Sequence, residues 1–252
     1  MFLFPKKIPN PNQHKFIVSS RKLKGKSVYR SLKKAVANLE MCNIEDVVAV
    51  FGFVKSFSPL YGGRLHLDSN SLSYSDVDHL HSKGIAMSLT LSNHYYSEEK
   101  YQESLPILER LYRKGNSIVI TNDDLAKRLR KDFPDYTLKA SVIKMIKTQE
   151  EIEKNLQLYD YVTLDPKLND QEEFLQSLTH KEKIILFGSI YCLYHCPNSI
   201  CYQWFSDYMG SGKNPKDQPC TNKHRIKEVR TLTRFNLNDP KFQGFTLFKL
   251  VV

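Results

Sequence analysis

The stretch Ile85-Ala-Met-Ser-Leu-Thr-Leu91 is a mostly apolar run that begins directly after Gly84. A continuous apolar run of this length predicts a strand buried on both faces, as in a parallel sheet. The segment before it, 75–83, has the spacing of a helix that Gly84 ends. The segment after it, from Ser97 to Gly115, predicts a second helix. A strand between two helices is the repeating unit of an α/β protein.

The same alternation of strand and helix extends along the chain in both directions. No glycine-rich phosphate loop follows the first strong strand, which argues against a dinucleotide-binding sheet. The expected fold class is α/β: a (β/α) TIM-like barrel, regular, irregular or incomplete, with a cysteine-bearing C-terminal segment. The predicted strands are 47–51, 64–67, 85–91, 117–121, 138–143, 161–164, 183–187 and 244–252, with a short strand at 14–19.

The sequence divides into three expected segments. Residues 1–45 form an N-terminal arm, rich in proline, and a basic helix at 27–40. Residues 46–190 form the (β/α) barrel core, and residues 191–252 form a cysteine-rich, cluster-binding segment with a closing strand. Proline lacks an amide donor and fixes φ, which is why the arm is expected to be irregular.

The charge balance indicates a class of partner. The chain has 252 residues, 37 basic and 27 acidic, for a formal net charge of +10. Basic residues concentrate in segments 21–34 and 213–234, so RNA is a plausible partner, with a solubility surface as the alternative. No apolar run approaches the roughly 20 residues of a membrane span, and residues 1–7 lack the order of a secretory signal. A cytoplasmic location without a membrane span is therefore expected.

Four of the five cysteines fall close together, in the order Cys192-x3-Cys196-x4-Cys201-x18-Cys220. Clustered thiolates in a reducing compartment favour metal ligation over a disulfide. Structural zinc sites usually have shorter, paired gaps, whereas a [4Fe–4S] cluster also takes four thiolates and often has proline after a ligand, as in Cys196-Pro197. The expected cofactor is a [4Fe–4S] cluster, with zinc as the alternative. Cys42 is a spare thiol or a substitute ligand.

Polar residues that follow the predicted strands mark the end of the barrel where chemistry is expected. Asn93, Asn122 and Lys144 are the candidate catalytic residues, although Asn122 also has the position of a helix N-cap. Arg64, after Gly62-Gly63, is a candidate anion-binding residue, with a tight turn as the alternative for the glycines. Lys213 and Arg225, in the second basic segment, are candidate substrate-binding residues.

Three parts of the sequence carry a resemblance to a known family. They are 78–93, which ends in Leu89-Thr-Leu-Ser-Asn93; 118–141, a strand, helix and strand; and Cys192-Leu-Tyr-His-Cys196-Pro197. Together they resemble the collagenase-like peptidase family, which includes iron–sulfur proteins that hydroxylate RNA bases or ubiquinone without molecular oxygen. The sequence departs from the family at Ser189-Ile-Tyr191, where Asn-Glu is common, and after Pro197, where Arg and His are common.

The resemblance implies an oxygen-independent hydroxylase that acts on RNA or a related substrate and carries a cluster on the four cysteines. It also implies a partner protein of the same family. Two alternatives stay open: a non-catalytic or nucleic-acid-binding barrel with a structural zinc site, and a peptidase. The sequence contains no visible Ser/His/Asp set and no His-Glu-x-x-His motif, which weakens the peptidase alternative.

Overall fold

The computed structural model describes residues 8–20, 22–63, 71–196, 201–211 and 231–252. Eight parallel strands form a closed barrel in the order β1-β2-β3-β4-β5-β6-β7-β9, and β9 pairs again with β1. The predicted TIM-like barrel is confirmed. The strands are β1 Lys15–Ser19, β2 Val47–Gly52, β3 Ala86–Leu91, β4 Ser117–Ile120, β5 Thr137–Ala140, β6 Tyr161–Thr163, β7 Ile184–Ile190, β8 Thr233–Arg234 and β9 Leu247–Leu250.

Helices follow most of the barrel strands. Their starts are fixed by side chains that accept backbone amides: Ser97 before α3, Asn122 before α4, and Thr148 before α5. Such caps satisfy amides that have no partner within the helix. The helices are α1 Val28–Leu39, α2 Tyr74–His81, α3 Glu98–Leu111, α4 Asp123–Asp132, α5 Gln149–Leu156, α6 Glu172–Ser177, α7 Cys192–His195 and α8 Cys201–Ser211.

The barrel contains strands from all three predicted segments: β1 from 1–45, β2 to β7 from 46–190, and β9, the predicted closing strand, from 191–252. β1 lies between β2 and β9, and β9 lies between β1 and β7. Both strands are short, but they are buried on both faces, so they close the barrel. The predicted strand at 64–67 lies outside the described residues, and β1 is the eighth parallel strand.

Alternate residues along each strand pack into two different hydrophobic clusters, one between the barrel and the helices and one inside the barrel. One set packs outward against the helices, as Phe16 and Val18 do in β1. The other set points inward, where Ile17 packs with residues such as Ala49 and Ile185. Because both faces are apolar, the strands appear in the sequence as continuous apolar runs.

The strand ends set the position of any reaction site. In a parallel barrel all C-terminal strand ends meet at one end, here called the barrel mouth, which is where loops carry function. No helix in the described part of the chain is long and apolar enough to cross a membrane.

Candidate active site

A cavity opens at the barrel mouth. Its volume is about 160 Å³, and its walls come from the ends of β1, β2 and β3, the segment after β5, and the inner faces of β4, β7 and β9. We call it the mouth cavity. It is lined by Ser19, Ser20, Phe51, Gly52, Phe53, Thr90, Ser92, Val119, Ser141, Val142, Ile143, Phe187 and Lys249.

Lys249 is the charged residue among the described residues that line the mouth cavity. It is in the closing strand β9, is 3% exposed, and its Nζ donates to Thr163 Oγ1 at 3.3 Å. The ammonium also lies 5.4 Å from the ring centroid of Phe51 and 6.0 Å from that of Phe187. A cation over aromatic faces is attracted to their electron-rich surfaces, which offsets part of its lost hydration. Our sequence reasoning missed this residue; the signal was a lysine inside the apolar run Leu247-Phe-Lys-Leu250.

A second lysine is buried in the barrel. Lys139 of β5 is 6% exposed, and its strand neighbours Leu138 and Ala140 pack outward against the helices. Burial lowers the pKa of its ammonium to about 8, while the negative charge of Asp160 acts in the opposite direction. The mouth-cavity lining does not include Lys139. Among the residues that the structure describes, the barrel therefore has two buried lysines, Lys139 and Lys249, and Lys249 lines the cavity.

The cysteine segment follows β7 directly. β7 ends at Ile190, Cys192 begins α7, and Cys196 follows its last residue. Cys192 is exposed, Cys196 is buried, and Cys201, the first residue of α8, is half-buried. The ammonium of Lys167 donates to the carbonyl oxygen of Cys196 and so ties this turn to the loop after β6. The segment thus starts at the barrel mouth, as predicted from the sequence.

Tyr194 and His195, which lie between Cys192 and Cys196, form hydrogen bonds to residues outside α7. The hydroxyl of Tyr194 donates to Asp170 Oδ2 at 2.6 Å, and this hydrogen bond raises the pKa of Tyr194 to about 12. His195, between the predicted ligands, is exposed, and its Nε2 lies 3.0 Å from Thr233 Oγ1 in β8. These contacts anchor α7 between β6 and β8.

The four predicted ligands are all cysteines, which fits a thiolate-bound cofactor; three of the four are among the described residues. Thiolates are the usual ligands of both iron–sulfur clusters and structural zinc. Cys220 lies outside the described residues. Within the described part of the chain, no three His, Cys, Asp or Glu side chains are close enough to hold a single metal ion. The assignment of Cys192, Cys196, Cys201 and Cys220 as one ligand set stays a prediction.

Cys42 belongs to a different part of the molecule. It follows α1 and is 2% exposed in the core between the helices and the barrel. Burial, helped by Asp46, raises the pKa of its thiol to about 12. A thiol that stays protonated at neutral pH is a poor metal ligand, because the thiolate is the form that binds. Its position and pKa favour a packing role.

Helix α8 is tied to the loops of the barrel mouth through Ser206. This residue is fully buried, and its Oγ accepts the backbone amides of Gly63 at 3.0 Å and His94 at 3.2 Å. It also lies 2.7 Å from Nδ1 of the His94 ring. The segment that begins at Cys201 is therefore fastened to the loops after β2 and β3. Sequence reasoning missed this pair, because the two residues are far apart in the chain.

Asn93 and Asn122, two predicted catalytic residues, make structural hydrogen bonds. Asn93 is 1% exposed; its Nδ2 donates to the carbonyls of Pro59 and Tyr61. Asn122 Oδ1 accepts the amides of Asp124 and Leu125 as the N-cap of α4, and its Nδ2 donates to the carbonyl of His94. These bonds hold the loops of the mouth; action on a substrate stays a prediction for both residues.

Lys144, the third predicted catalytic residue, is held in an ion pair. Its Nζ lies 2.6 Å from Asp123 Oδ1 and also donates to the carbonyl of Thr121. The ring of Tyr159 lies beneath it, with 5.3 Å from Nζ to the ring centroid. The lysine joins the segment after β5 to the start of α4. Its proposed catalytic role stays a prediction.

The predicted substrate-binding residues Arg64, Lys213 and Arg225 lie outside the described residues. The two glycines before Arg64 are described, and they allow close packing. A Cβ at Gly62 would lie 2.9 Å from Asn93 Cα, and Gly63 has φ +65° with Ile143 and Ser92 against it. The glycines therefore let the loop after β2 lie directly on the ends of β3 and β5.

Comparison with known proteins gives a likeness of fold. No protein-family model matches the chain, and no curated protein matches it. A solved structure described as "The Structure of the U32 Peptidase Mk0906" superposes with a TM-score of 0.66. The alignment covers 100% of this chain and 98% of the other, with 13% sequence identity. At this identity the likeness supports the TIM-like barrel fold alone, and membership of the collagenase-like peptidase family stays a prediction.

Proposed function

We propose that this chain is an iron–sulfur-dependent modifying enzyme of the collagenase-like type, most simply a hydroxylase, that acts on RNA or a related substrate. One observation carries the proposal: the cysteine segment leaves the C-terminal end of β7 and is fastened at the mouth of the barrel. Reactive centres of such barrels lie at this end. The likeness of fold to a U32 peptidase is compatible with the same family.

The described residues on both sides of Cys220 support this location. Before it, α8 is tied to the mouth by Ser206. After it, β8 pairs antiparallel with the end of β7, with Ser189 opposite Arg234 and Ile190 opposite Thr233. The chain thus departs from the mouth and returns to it. The two described segments that flank 212–230, α8 and β8, therefore both contact the barrel mouth.

Cys192, Cys196, Cys201 and Cys220 would hold the cluster. When bound, a [4Fe–4S] cluster supplies one-electron transfer, at a potential that nearby hydrogen bonds and burial adjust. The chain's own groups would position this segment: Lys167 holds the carbonyl of Cys196, and Ser206 holds α8. The aromatic walls of the mouth cavity would limit water around a bound substrate.

Metal and sulfide content, measured on protein purified without air, tests the proposal. We expect a brown protein with about four iron and four sulfide per chain. The Cys192→Ser and Cys196→Ser variants should lose iron, whereas Cys42→Ala, which changes a packing thiol, should keep it. A colourless protein with one zinc per chain, lost in the same two variants, would show the structural zinc site instead.

The proposal that the substrate is RNA depends on the positive charge of the chain. The exposed face of α1 carries Arg30, Lys33 and Lys34, within a chain of net charge +10. Contacts to phosphates release counterions, so RNA affinity should fall steeply, by about a hundredfold or more, between about 50 and 200 mM salt. Replacing these three residues by Gln should reduce the dependence of RNA affinity on salt concentration in a gel-shift titration.

Lys127→Gln is the matched control, because Lys127 is exposed but paired with Asp124. Affinity that does not change with salt would exclude this mode of binding.

Peptide hydrolysis is the second candidate function. One support is the structural neighbour, which is described as a U32 peptidase. The other is the contact between Ser206 and His94, because a hydroxyl beside a histidine can form a nucleophile–base pair. Ser206 is fully buried, so α8 would have to lift before it met a peptide bond. Incubation of metal-replete protein with gelatin tests this candidate. Cleavage that Ser206→Ala abolishes would support it, and intact gelatin would reject it.

A further inference from the structure

A groove lies beside the barrel mouth, between α1 and β8. Its volume is about 370 Å³, and its lining includes Lys34 and Asn38 of α1, Arg234 of β8, and Tyr191. We call it the α1 groove. Tyr191 follows the last residue of β7 and directly precedes Cys192, so the groove borders the cysteine segment.

We infer that the α1 groove binds an unpaired stretch of RNA, with its phosphates on Lys34 and Arg234 and a base on the ring of Tyr191. The inference deepens the proposed function and rests on it in one respect, namely that RNA is the substrate. It does not depend on the identity of the metal.

The charge of the lining favours a polyanion. Among the described residues that line the groove, Lys34 and Arg234 are cations and none is an Asp or Glu. Both cations are exposed, and neither forms an ion pair with a described residue. With a carboxylate at Val252, the last residue of the sequence, the lining would still carry a net positive charge. Cations on two walls of one groove can contact successive phosphates of a single strand.

Two uncharged side chains favour RNA over an acidic peptide. Asn38 lies one turn after Lys34 on the same face of α1, and its exposed amide forms no hydrogen bond with a described residue. An amide both donates and accepts hydrogen bonds, which matches the edges of unpaired bases. Tyr191 is half-buried and has no ring contact with a described residue, so its ring can stack with a base. A glutamate-rich peptide would use the cations but neither of these groups.

The apolar part of the lining favours a single strand over a duplex. Ala35 and Leu232 line the groove and are partly exposed. Unpaired bases can turn toward such a surface, whereas a duplex presents phosphates and ribose and keeps its bases stacked inside. A strand in the groove would pass Tyr191 and reach Cys192, the first cysteine of the proposed cluster.

Fluorescence anisotropy tests the inference, with the whole chain titrated into a labelled, unstructured RNA of about ten nucleotides. A duplex of the same length and polyglutamate are the comparison probes, and both should bind more weakly. Arg234→Gln should weaken single-strand binding by about fivefold or more. It should also reduce the slope of log affinity against log salt by about 0.7, because one phosphate contact is lost. Tyr191→Leu should weaken binding by about fivefold or more with an unchanged slope, because it removes a stacking contact but no charge.

Lys131→Gln is the matched control for Arg234→Gln. Lys131 of α4 is exposed, forms no ion pair with a described residue and does not line the groove, so the variant makes the same change in net charge elsewhere. Its RNA affinity should change by less than about twofold. Arg234→Lys should keep the wild-type salt slope. Both Arg234 variants should unfold near the wild-type temperature, because Arg234 pairs with β7 through its backbone.

Three results would overturn the inference: no single-strand binding to the wild type, equal affinities in Arg234→Gln and Lys131→Gln, or binding of polyglutamate or duplex as tight as that of the single strand. The Cys192→Ser, Cys196→Ser double variant should bind the RNA as the wild type does. Wild-type protein without iron that binds RNA through Arg234 and Tyr191 would contradict the proposed cluster and support the groove, so the two failures are distinguishable.

Discussion

Two histidines, the buried His14 and the half-buried His94, make the stability of the barrel depend on pH. Burial lowers the pKa of His94, against the opposing charge of Asp207, and burial also lowers the pKa of His14. Both rings are thus preferentially neutral in the folded chain. In the tautomer whose Nδ1 accepts the Ser206 hydroxyl, protonation of His94 would add a hydrogen to Nδ1 and require Ser206 to redirect that hydroxyl. The contact that fastens α8 is therefore one between neutral groups.

The first prediction concerns pH. An unfolded histidine titrates near 6.5. Because the folded pKa values are lower, the unfolded chain binds more protons below that pH, so the free energy of unfolding should be full above about 6.5 and fall as pH drops toward 5. Urea unfolding at a series of pH values measures this slope. His94→Gln should flatten it, whereas His180→Gln, a change at an exposed ring, should not. An unchanged slope in His94→Gln would contradict the role of His94.

The second prediction concerns Gly63. Its φ is +65°, and an added Cβ would overlap Ile143 Cδ1 and lie 2.8 Å from the carbonyl oxygen of Ser92. Gly25 has a similar φ of +73° but nothing within 4 Å of an added Cβ. Gly25→Ala should therefore cost about 1 kcal/mol of left-handed strain, and Gly63→Ala about 2 kcal/mol more from overpacking. Denaturant unfolding of the two variants gives the difference. Equal costs would show that the loop after β2 can move away.

At the scale of elements, helix caps hold the loops of the mouth as well as the helices. Asn122 is an example: Oδ1 caps α4, while Nδ2 donates to the carbonyl of His94 in the loop after β3. One side chain thus links the start of a helix to the loop that carries the Ser206 contact. Asn122, a polar residue just after β4, thus joins the start of α4 to the loop after β3.

The third prediction separates the two roles of Asn122, which are capping α4 and donating a hydrogen bond to the carbonyl of His94. Asn122→Ala should cost about 1–2 kcal/mol of stability, because two cap bonds are lost. Asn122→Asp keeps the accepting oxygens and should retain most of that stability while losing the donation to His94. Ser97→Ala is the control, since Ser97 caps α3 through one bond of 3.4 Å and should cost less. If Asn122→Asp keeps its stability but loses activity, the residue acts in the reaction or holds the loop that does.

At the scale of the whole molecule, closure depends on the last strand. β9 pairs with β1 on one side and β7 on the other, and Phe248 and Leu250 fill the layer beneath the helices. Lys249, between them, points into the barrel beside Phe51. The same strand therefore completes both the structure and the charged wall of the mouth cavity.

The fourth prediction follows from that closure. Deletion of residues 245–252 should abolish cooperative unfolding and near-ultraviolet circular dichroism, because β1 and β7 would each lose a strand partner. Deletion of Val251 and Val252 alone removes the hydrogen bonds that their backbone amides donate to the hydroxyls of Ser189 and Ser19. It should lower stability while preserving a cooperative transition. A cooperative transition in the longer deletion would show that the barrel tolerates an open sheet.

Much of the fold could be predicted because it rests on local patterns. The apolar runs predicted at 47–51 and 117–121 are β2 and β4, and Ser97 and Asn122 start helices as expected. The short strand predicted at 14–19 is β1. Its place in the barrel, between β2 and β9, could not be predicted, because it depends on closure by a strand more than 200 residues away in the chain.

The sequence by itself determined the alternation of strand and helix, the approximate ends of the helices, and the clustering of thiols after β7, because each depends on residues close in the chain. Only the tertiary structure decided that Lys249 faces the mouth cavity, that Ser206 meets His94, and that Cys42 is buried in the outer core. Those facts depend on strand register and on contacts between distant segments. Side-chain direction inverts with a shift of one residue, so composition and spacing do not fix it.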